Sequence, residues 1–454
     1  MNLLKERAES IIIVGAGISG LSLALLLARA GKRISLYDKR TELDQQKEGR
    51  SINFTISGRG LSVLTQLGLK EKVLAQATVL VGRILHLPNS KVICYKYGTK
   101  KSQVLLSIRR STLIEILLHA IMDEKNISFY AGFELLNIDE TTLTCHFLDV
   151  ATQKMEIQKA DFMVGADSVF STVRSYMLKK QITDYQQTVF SWGYKEYQFD
   201  RVDAEKLNLS TNQMHMWPKS KALLVAIPNT DNTFSVIFTA PLYGADKRNH
   251  FDELVKQEFG DIVAAAPSFL NKCGKDPFQN IISIKIDTWH LDDKIILIGD
   301  ACHATYPFYG QGMNSALEDA VVLTNCITNP LLSRLDAFIA YEKMRKKDMN
   351  ALHQLSEAHL QQMTQAMISS FWQACNVLDY RLAKLLPKNW VYEYEMIAHS
   401  TLSYTAILNI IKNQDKKKLM SGFYVFAFIL SVIIYIHKLV KPLKNFNNGN
   451  LNAR

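Results

Sequence analysis

At 454 residues the chain is longer than one simple core, and its 48% hydrophobic and 21% charged residues are ordinary for a folded protein, not a disordered or fibrous one. The net charge of +10 would suit a nucleic-acid binder, but +7 of it lies in residues 411–454. The remaining body is nearly neutral, so no nucleic-acid partner is expected. Six scattered cysteines with no CxxC pair argue against a disulfide framework or a zinc site and read as reduced thiols facing a cytosol. No metal site is expected.

In chain order, the first ten residues lack the apolar core of a secretion signal. Residues 11–14 are four apolar side chains in a row and read as a strand buried on both faces. Gly15, Gly17 and Gly20 follow at GxGxxG spacing, then an apolar helix over 21–28, a closing Gly31, and a second strand over 34–37 that ends in Asp38. Gly15 permits the tight turn, Gly17 lets backbone approach a pyrophosphate, and Gly20 lets helix pack on strand. The helix N-terminus offers unpaired N–H groups to phosphate. Asp38, 21 residues beyond Gly17, is placed to accept from a ribose diol. This pattern reads as a dinucleotide site and leaves NAD and FAD both open.

Residues 48–60 are polar and extended, 61–76 read as a helix, and 79–97 as strands turning at Pro88, Asn89 and Ser90. A helix is expected over 105–123, short strands over 127–150, and a buried strand over 161–164 running into Gly165-Ala166-Asp167 and a helix from about Ser171. The strand-rich block 188–239 reads as an inserted sheet that walls a substrate. A last buried strand over 295–298 runs into Gly299 and Asp300, and a helix spans 313–327. From 330 to 411 the chain reads as helical. Residues 419–436 are 18 residues without a charge, flanked by lysines. As a helix they would be about 27 Å long, near the thickness of a bilayer core.

Three nucleotide-type segments therefore lie far apart: the opening glycines, the stretch 164–174 around Asp167 and Thr172, and Gly299-Asp300-Ala301-Cys302-His303 with Pro307 and Gly310-Gln311-Gly312-Met313-Asn314. An NAD dehydrogenase needs only the first. FAD, stretched through the domain, uses all three. Asp300 suits ribitol hydroxyls, Gly310 and Gly312 allow a flat ring close to backbone, and the following helix points its N–H end at the pyrimidine edge of a flavin. His303 taken alone reads as a packed or solvated histidine.

These three segments resemble the fingerprints of the single-nucleotide-fold, FAD-dependent aromatic hydroxylases. Arg50-Ser51-Ile52-Asn53, Tyr97-Gly98-Thr99-Lys100, Ser171-Thr172-Val173-Arg174 and the run from Pro307 to Asn314 resemble the kynurenine 3-monooxygenase group within them. The resemblance implies an α/β fold. It has a Rossmann-like FAD-binding domain (8–78, 105–185 and 286–329) and an inserted, mostly antiparallel substrate sheet (79–104 and 186–285). A helical region (330–415) and a transmembrane anchor (419–440) complete it. It further implies that NADPH reduces the flavin, O2 adds at its C4a carbon, and the hydroperoxide hydroxylates an aromatic amino acid such as L-kynurenine. No protein side chain is expected as a catalytic base, and Pro307, Phe308 and Gly310 position the flavin.

By the same resemblance Arg83 binds the substrate carboxylate, joined by Tyr97, His359 and Tyr404. Gly15, Gly17, Gly20, Asp38, Lys39, Arg40, Arg110, Leu135, Asp167, Thr172, Asp300, Gly312, Met313 and Asn314 contact the cofactor. The chain departs from the family pattern at three positions. His359 replaces an asparagine, and its protonated form would hold a carboxylate more strongly. Thr364 replaces an arginine, and Ser168 replaces a glycine whose backbone shape a serine tolerates poorly. These departures keep two alternatives open: a hydroxylase of another aromatic carboxylic or amino acid, and a non-catalytic, membrane-tethered flavoprotein. The implied location is a membrane surface with the catalytic domain facing the cytosol, the mitochondrial outer membrane in a eukaryote.

Overall fold

The computed structural model describes residues 9–42, 53–87, 91–242, 248–273, 278–363, 369–429 and 431–432. Arg50, Ser51, Ile52, Thr364 and the turn at 88–90 lie outside the described residues.

The apolar run Ser10–Val14 is the centre of a six-stranded sheet in the order His290–Leu291, Ile295–Leu297, Phe162–Gly165, Ser10–Val14, Arg33–Asp38, Ile127–Ala131. All neighbours pair parallel except the short His290–Leu291 edge. Parallel strands covered on both faces need continuous apolar residues, and Ile11, Ile13, Phe162, Val164 and Ile295 to Leu297 are fully buried. Helix Ile18–Arg29 is buried almost all round and packs against Gly312–Ile327. The strand ends Val14, Gly165 and Leu297 therefore come to one edge of the sheet, and all three motif segments leave from there.

A seven-stranded sheet follows the order Gln279–Ile286, Tyr185–Phe199, Phe234–Pro241, Leu223–Pro228, Gln213–Pro218, Gly82–Leu87, Lys91–Lys96. Only Gln213–Pro218 with Gly82–Leu87 is parallel. Its back carries a core of Phe199, Phe234 and Phe238 closed by Val255, Phe259, Ile262 and Phe269. Those last four lie on helices Arg248–Ala265 and Ser268–Cys273, within a segment expected as sheet.

Three other expectations shift. The helix over 105–123 begins only at Arg110, because Leu105–Arg109 is a strand between Asn53–Ile56 and Thr78–Leu80. A short apolar run cannot be told from a helix segment by periodicity. The helix over 61–76 divides into Gly58–Gln66 and Lys70–Gln76 at Gly68, which has φ +68°. The helical region divides into Arg334–Gln361, Ser370–Leu385, Glu393–His399 and Tyr404–Met420. Ser333, Ser369 and Ser403 cap three of these by accepting from the N–H of Asp336, Trp372 and Ala406.

Part of the expected membrane span, residues 419–429 and 431–432, is described. Helix Tyr404–Met420 ends at Gly422 (φ +67°), and Phe423 then stacks on Trp390 at 5.6 Å. Among the described residues no helix is long and apolar enough to cross a membrane, and positions 430 and 433–440 lie outside them.

Candidate active site

At the nucleotide end, Gly15 has φ +103° and donates its N–H to the Tyr37 carbonyl at 2.7 Å. A Cβ on Gly15 would lie 2.4 Å from the Ala166 carbonyl oxygen, and one on Gly20 would lie 1.9 Å from that of Gly15. The first and second motif segments are thus in direct contact. Gly17, which caps helix Ile18–Arg29, has nothing within 4 Å of its missing side chain.

Asp38 is buried and accepts from the Ala16 N–H at 2.7 Å. Arg40 grips the same carboxylate, with Nε on Oδ1 and Nη2 on Oδ2 both at 2.8 Å. Burial works against the charged carboxylate, yet Arg40 and the two backbone donors hold its pKa below the usual range. Lys39 is exposed beside this pair. Leu135 is buried in the strand Phe133–Asp139.

Asp167 accepts from Ser171 Oγ and Thr172 N–H, both at 2.6 Å, and from Val173 N–H at 3.1 Å, anchoring the start of helix Thr172–Lys179. Ser168 sits at φ +68°, in the left-handed region that a glycine occupies freely.

At the third segment, Gly299 (φ +64°, ψ −141°) turns the chain into helix Asp300–His303, and a Cβ there would lie 2.4 Å from Ser19 Oγ. Asp300 is reached by solvent, and the surrounding protein raises its carboxyl pKa by desolvation. The charge of Arg110, at the start of helix Arg110–Met122, offsets part of that rise. His303 is not free: its Nε2 meets Asp319 at 2.5 Å, and Arg345 Nε donates to the same carboxylate at 2.6 Å.

The turn Pro307–Tyr309 leads to Gly310 in the left-handed region (φ +63°) and then to helix Gly312–Ile327. Three side chains hold this loop. Asn314 donates to the carbonyls of Thr55 (2.9 Å) and Gly310 (3.0 Å) and accepts from the Ser57 N–H at 2.9 Å. Gln311 accepts from the Tyr404 hydroxyl at 3.0 Å. Tyr309 donates to Glu393. Met313 is buried, Pro307 is exposed, and Gly312 has nothing within 4 Å of its missing side chain. Phe308 is half-buried against a cluster of Leu85, Tyr95, Met216 and Met363.

Arg83, on Gly82–Leu87, is 5% exposed and has no ion pair or side-chain hydrogen bond among the described residues. Its guanidinium lies 4.7 Å from the ring of Tyr394 and 6.0 Å from that of Tyr95. Tyr97 stacks on Tyr394 at 5.4 Å, and its fully buried hydroxyl has no hydrogen-bond partner among the described residues. His359 is buried, stacks on Tyr309 at 3.9 Å and lies 6.1 Å from Tyr394. Burial and the nearby Arg83 charge push its pKa down to about 3, which favours the neutral imidazole, still able to donate one hydrogen bond.

Tyr404 is placed elsewhere. Its ring lies under Arg59 at 4.2 Å and its hydroxyl is spent on Gln311. The tyrosine beside Arg83 from the C-terminal helices is Tyr394.

A family description, FAD binding domain, matches residues 8–355. The chain is 34% identical over 424 residues to the kynurenine 3-monooxygenase of Salinispora tropica, covering 91% of this chain and 93% of that one. The chain belongs to the kynurenine 3-monooxygenase family. It is 28% identical to the Dictyostelium discoideum enzyme of that name over 434 residues, covering 91% of this chain and 94% of that one. Among solved structures, 2-methyl-3-hydroxypyridine-5-carboxylic acid oxygenase superposes with a TM-score of 0.67 at 21% identity, covering 85% of this chain and 99% of that one. Pseudomonas aeruginosa PqsL, in complex with 2-aminobenzoylacetate, gives 0.63 at 19%, covering 80% and 98%. Both share the fold.

As a member of this family the chain is an FAD-dependent monooxygenase with NADPH as co-substrate. Its residues fit the dinucleotide. Gly17 and Gly312 leave open space where close approach is needed, Asp300 is exposed at the start of its helix, and Gly15, Gly20 and Gly299 lock the three segments together. Sequence reading missed Tyr394, Glu393, Arg59 and Gln311. The alternating aromatics Trp390, Tyr392 and Tyr394 were the available signal for the first.

Proposed function

We propose that the chain hydroxylates L-kynurenine to 3-hydroxykynurenine using NADPH and O2. When bound, FAD supplies the reduction of O2 and the transfer of one oxygen atom to the ring. In this reading Gly15, Gly17, Gly20 and the helix N-terminus receive the pyrophosphate, while Asp38, Lys39, Arg40 and Leu135 border the adenosine. Asp167, Thr172, Arg110 and Asp300 line the ribityl path. The N–H groups of Gly312, Met313 and Asn314 have no intrahelical acceptor and face the isoalloxazine. Pro307, Phe308 and Gly310 shape its substrate side.

The observation that carries the reading is Arg83. A buried guanidinium without an anion is costly unless a ligand supplies one. The unpartnered Tyr97 hydroxyl beside it offers a second donor to the same carboxylate. A substrate held there by its amino-acid end places its ring toward Phe308 and the apolar cluster of Leu85, Met216 and Met363. The aniline nitrogen already activates the neighbouring ring carbon, so the protein's work is orientation and exclusion of water. The test is NADPH oxidation and product formation with L-kynurenine. Absence of both in flavin-loaded protein overturns the assignment.

The His359 stack favours a second reading, another aromatic carboxylic or amino acid, because the histidine ring fills space and neutral imidazole gives the carboxylate less than a cation would. Higher kcat/KM for such an acid than for L-kynurenine would select it.

We further infer attachment to a membrane through residues 419–440, with the catalytic body facing the cytosol, on the outer mitochondrial membrane in a eukaryote. Support comes from exposed Leu419, Met420, Val425, Phe426, Phe428 and Ile429 beside Lys416, Lys417 and Lys418. Apolar side chains flanked by lysines suit an anionic lipid surface. Flotation of the full chain with vesicles, lost on truncation after Lys418, is the expected result.

A further inference from the structure

Tyr309 links the turn before Gly310 to the helix that carries Tyr394. It belongs to the turn Pro307–Tyr309, one residue before Gly310. Its ring lies flat on His359, 3.9 Å between centroids and 12° between planes, and 6.2 Å from Tyr394. Its buried hydroxyl donates to Glu393, the first residue of the helix that carries Tyr394. The stack fixes the ring plane, and the charge-assisted hydrogen bond fixes its rotation and depth. Tyr394 in turn flanks Arg83.

We propose that Glu393 is a positioning residue for oxygen transfer: through Tyr309 it holds the turn 307–310 at a fixed distance from the Arg83 end of the substrate cavity. The proposal rests on reading this cavity as the kynurenine site. The turn is also held by Asn314 to the Thr55 carbonyl, by Gln311 to Tyr404, and by Phe308, which packs with Leu85 and Tyr95. Without the Glu393 tie, Tyr309 keeps its stack on His359 but loses the bond that fixes its rotation and depth against the helix carrying Tyr394. Small misplacements at a reacting centre are costly. The consequence has a defined stoichiometry. NADPH, H+ and O2 with the substrate give NADP+, water and hydroxylated product. Without oxygen transfer the same NADPH, H+ and O2 give NADP+ and hydrogen peroxide.

The burial of Glu393 raises its carboxyl pKa, while the Tyr309 hydroxyl acts to keep it charged, so each group stabilises the other in place. Glu395, two residues on, performs a parallel task from the same helix. It accepts from the Thr99 N–H at 2.8 Å and Gln103 Nε2 at 2.6 Å, tying down the loop that follows Tyr97.

The experiment compares Tyr309→Phe, Glu393→Ala, Glu393→Gln and the double variant Tyr309→Phe/Glu393→Ala as flavin-loaded proteins. Peroxide per product, the flavin absorption change on ligand binding and apoprotein melting are measured for each. Tyr309→Phe and Glu393→Ala are expected to raise peroxide per product about tenfold, the scale of one charge-assisted hydrogen bond. Glu393→Gln keeps an acceptor and restores the ratio. The double variant is no worse than either single one, because both remove the same bond. A wild-type ratio in Tyr309→Phe, additive defects, or lowered melting with the ratio unchanged overturns the proposal. If the wild type fails to turn over kynurenine, the substrate assignment falls separately. Benzoate then serves as the carboxylate probe: a diminished flavin absorption change in Tyr309→Phe supports the tether, and an unchanged one overturns it.

Discussion

Arg83 holds its guanidinium 4.7 Å from the ring of Tyr394, buried, with no acidic partner among the described residues. An aromatic face stabilises the cation but leaves its N–H donors available, which is why we propose the pair as the carboxylate receptor. Arg83→Ala is expected to raise KM for a carboxylate substrate by about 30-fold or more, on the scale of a lost buried charge pair. Arg83→Lys recovers only part, because an ammonium cannot bind bidentately. Tyr394→Leu weakens binding by about tenfold through loss of the cation–π contact. Tyr404→Phe leaves KM near the wild-type value. Steady-state kinetics on the four variants checks the set, and a KM change in Tyr404→Phe as large as that in Arg83→Ala would contradict the placement of the two tyrosines.

Ser168 occupies φ +68° just after Asp167, a conformation that costs a non-glycine residue about 1–2 kcal/mol. Ser168→Gly removes that cost but adds freedom to the unfolded chain. The net expectation is a gain of about 0.5–1 kcal/mol, seen as a higher midpoint in denaturant with unchanged slope. Ser168→Val is expected to lower the midpoint. A serine-to-glycine change that destabilises would show that the hydroxyl makes a contact worth more than the backbone strain.

The parallel core was legible because strands buried on both faces must be apolar at consecutive positions, as residues 11–14 and 295–297 are. The three cofactor segments were legible because glycines at close approaches tolerate no substitute: a Cβ on Gly15 or Gly20 would collide with backbone. The substrate end was less so. Arg83 and Tyr97 sit on or beside strands whose register brings Arg83 opposite Tyr95. The choice between Tyr394 and Tyr404 depends on where helices Glu393–His399 and Tyr404–Met420 begin and how they pack, which the nine residues between the two tyrosines do not specify. Helix Arg248–Ala265 was a missed opportunity. Val255, Phe259, Ile262 and Ala266 are buried at helical spacing in a stretch expected to belong to a sheet.

Three buried histidines, His215, His353 and His359, and the half-buried His86 are expected to make the fold acid-sensitive. Burial pushes His353 and His359 down to about 3, and holds the contacting pair His86 and His215 down to about 4. For each, the unfolded chain binds a proton near pH 6.5 while the folded chain does not. Between about pH 6.5 and 4 the unfolded state therefore holds more protons, and stability rises with pH. The stabilisation is present above pH 6.5 and declines as pH falls, by up to about 2 kcal/mol per histidine on reaching pH 5. Denaturant midpoints measured from pH 8 to 5 should fall steeply below 6.5, and His359→Asn should reduce that slope. Affinity for the substrate carboxylate should show no gain from His359 protonation between pH 8 and 5.

The glycines of the cofactor cleft divide into two kinds, and the division predicts two phenotypes. At Gly20 and Gly299 a Cβ would strike protein, 1.9 Å from the Gly15 oxygen and 2.4 Å from Ser19 Oγ. At Gly17 and Gly312 it would meet nothing within 4 Å among the described residues. Gly20→Ala and Gly299→Ala are therefore expected to lower the melting temperature of the apoprotein itself. Gly17→Ala and Gly312→Ala should leave apoprotein melting unchanged, because the added methyl enters open space. In that space it meets the incoming pyrophosphate or ring, so FAD affinity should fall by about tenfold or more, the scale of one lost close contact in a phosphate cradle. Apoprotein melting and FAD titration, run on the same four variants, separate the two kinds. Wild-type FAD affinity in both Gly17→Ala and Gly312→Ala would mean that the dinucleotide does not pass between them.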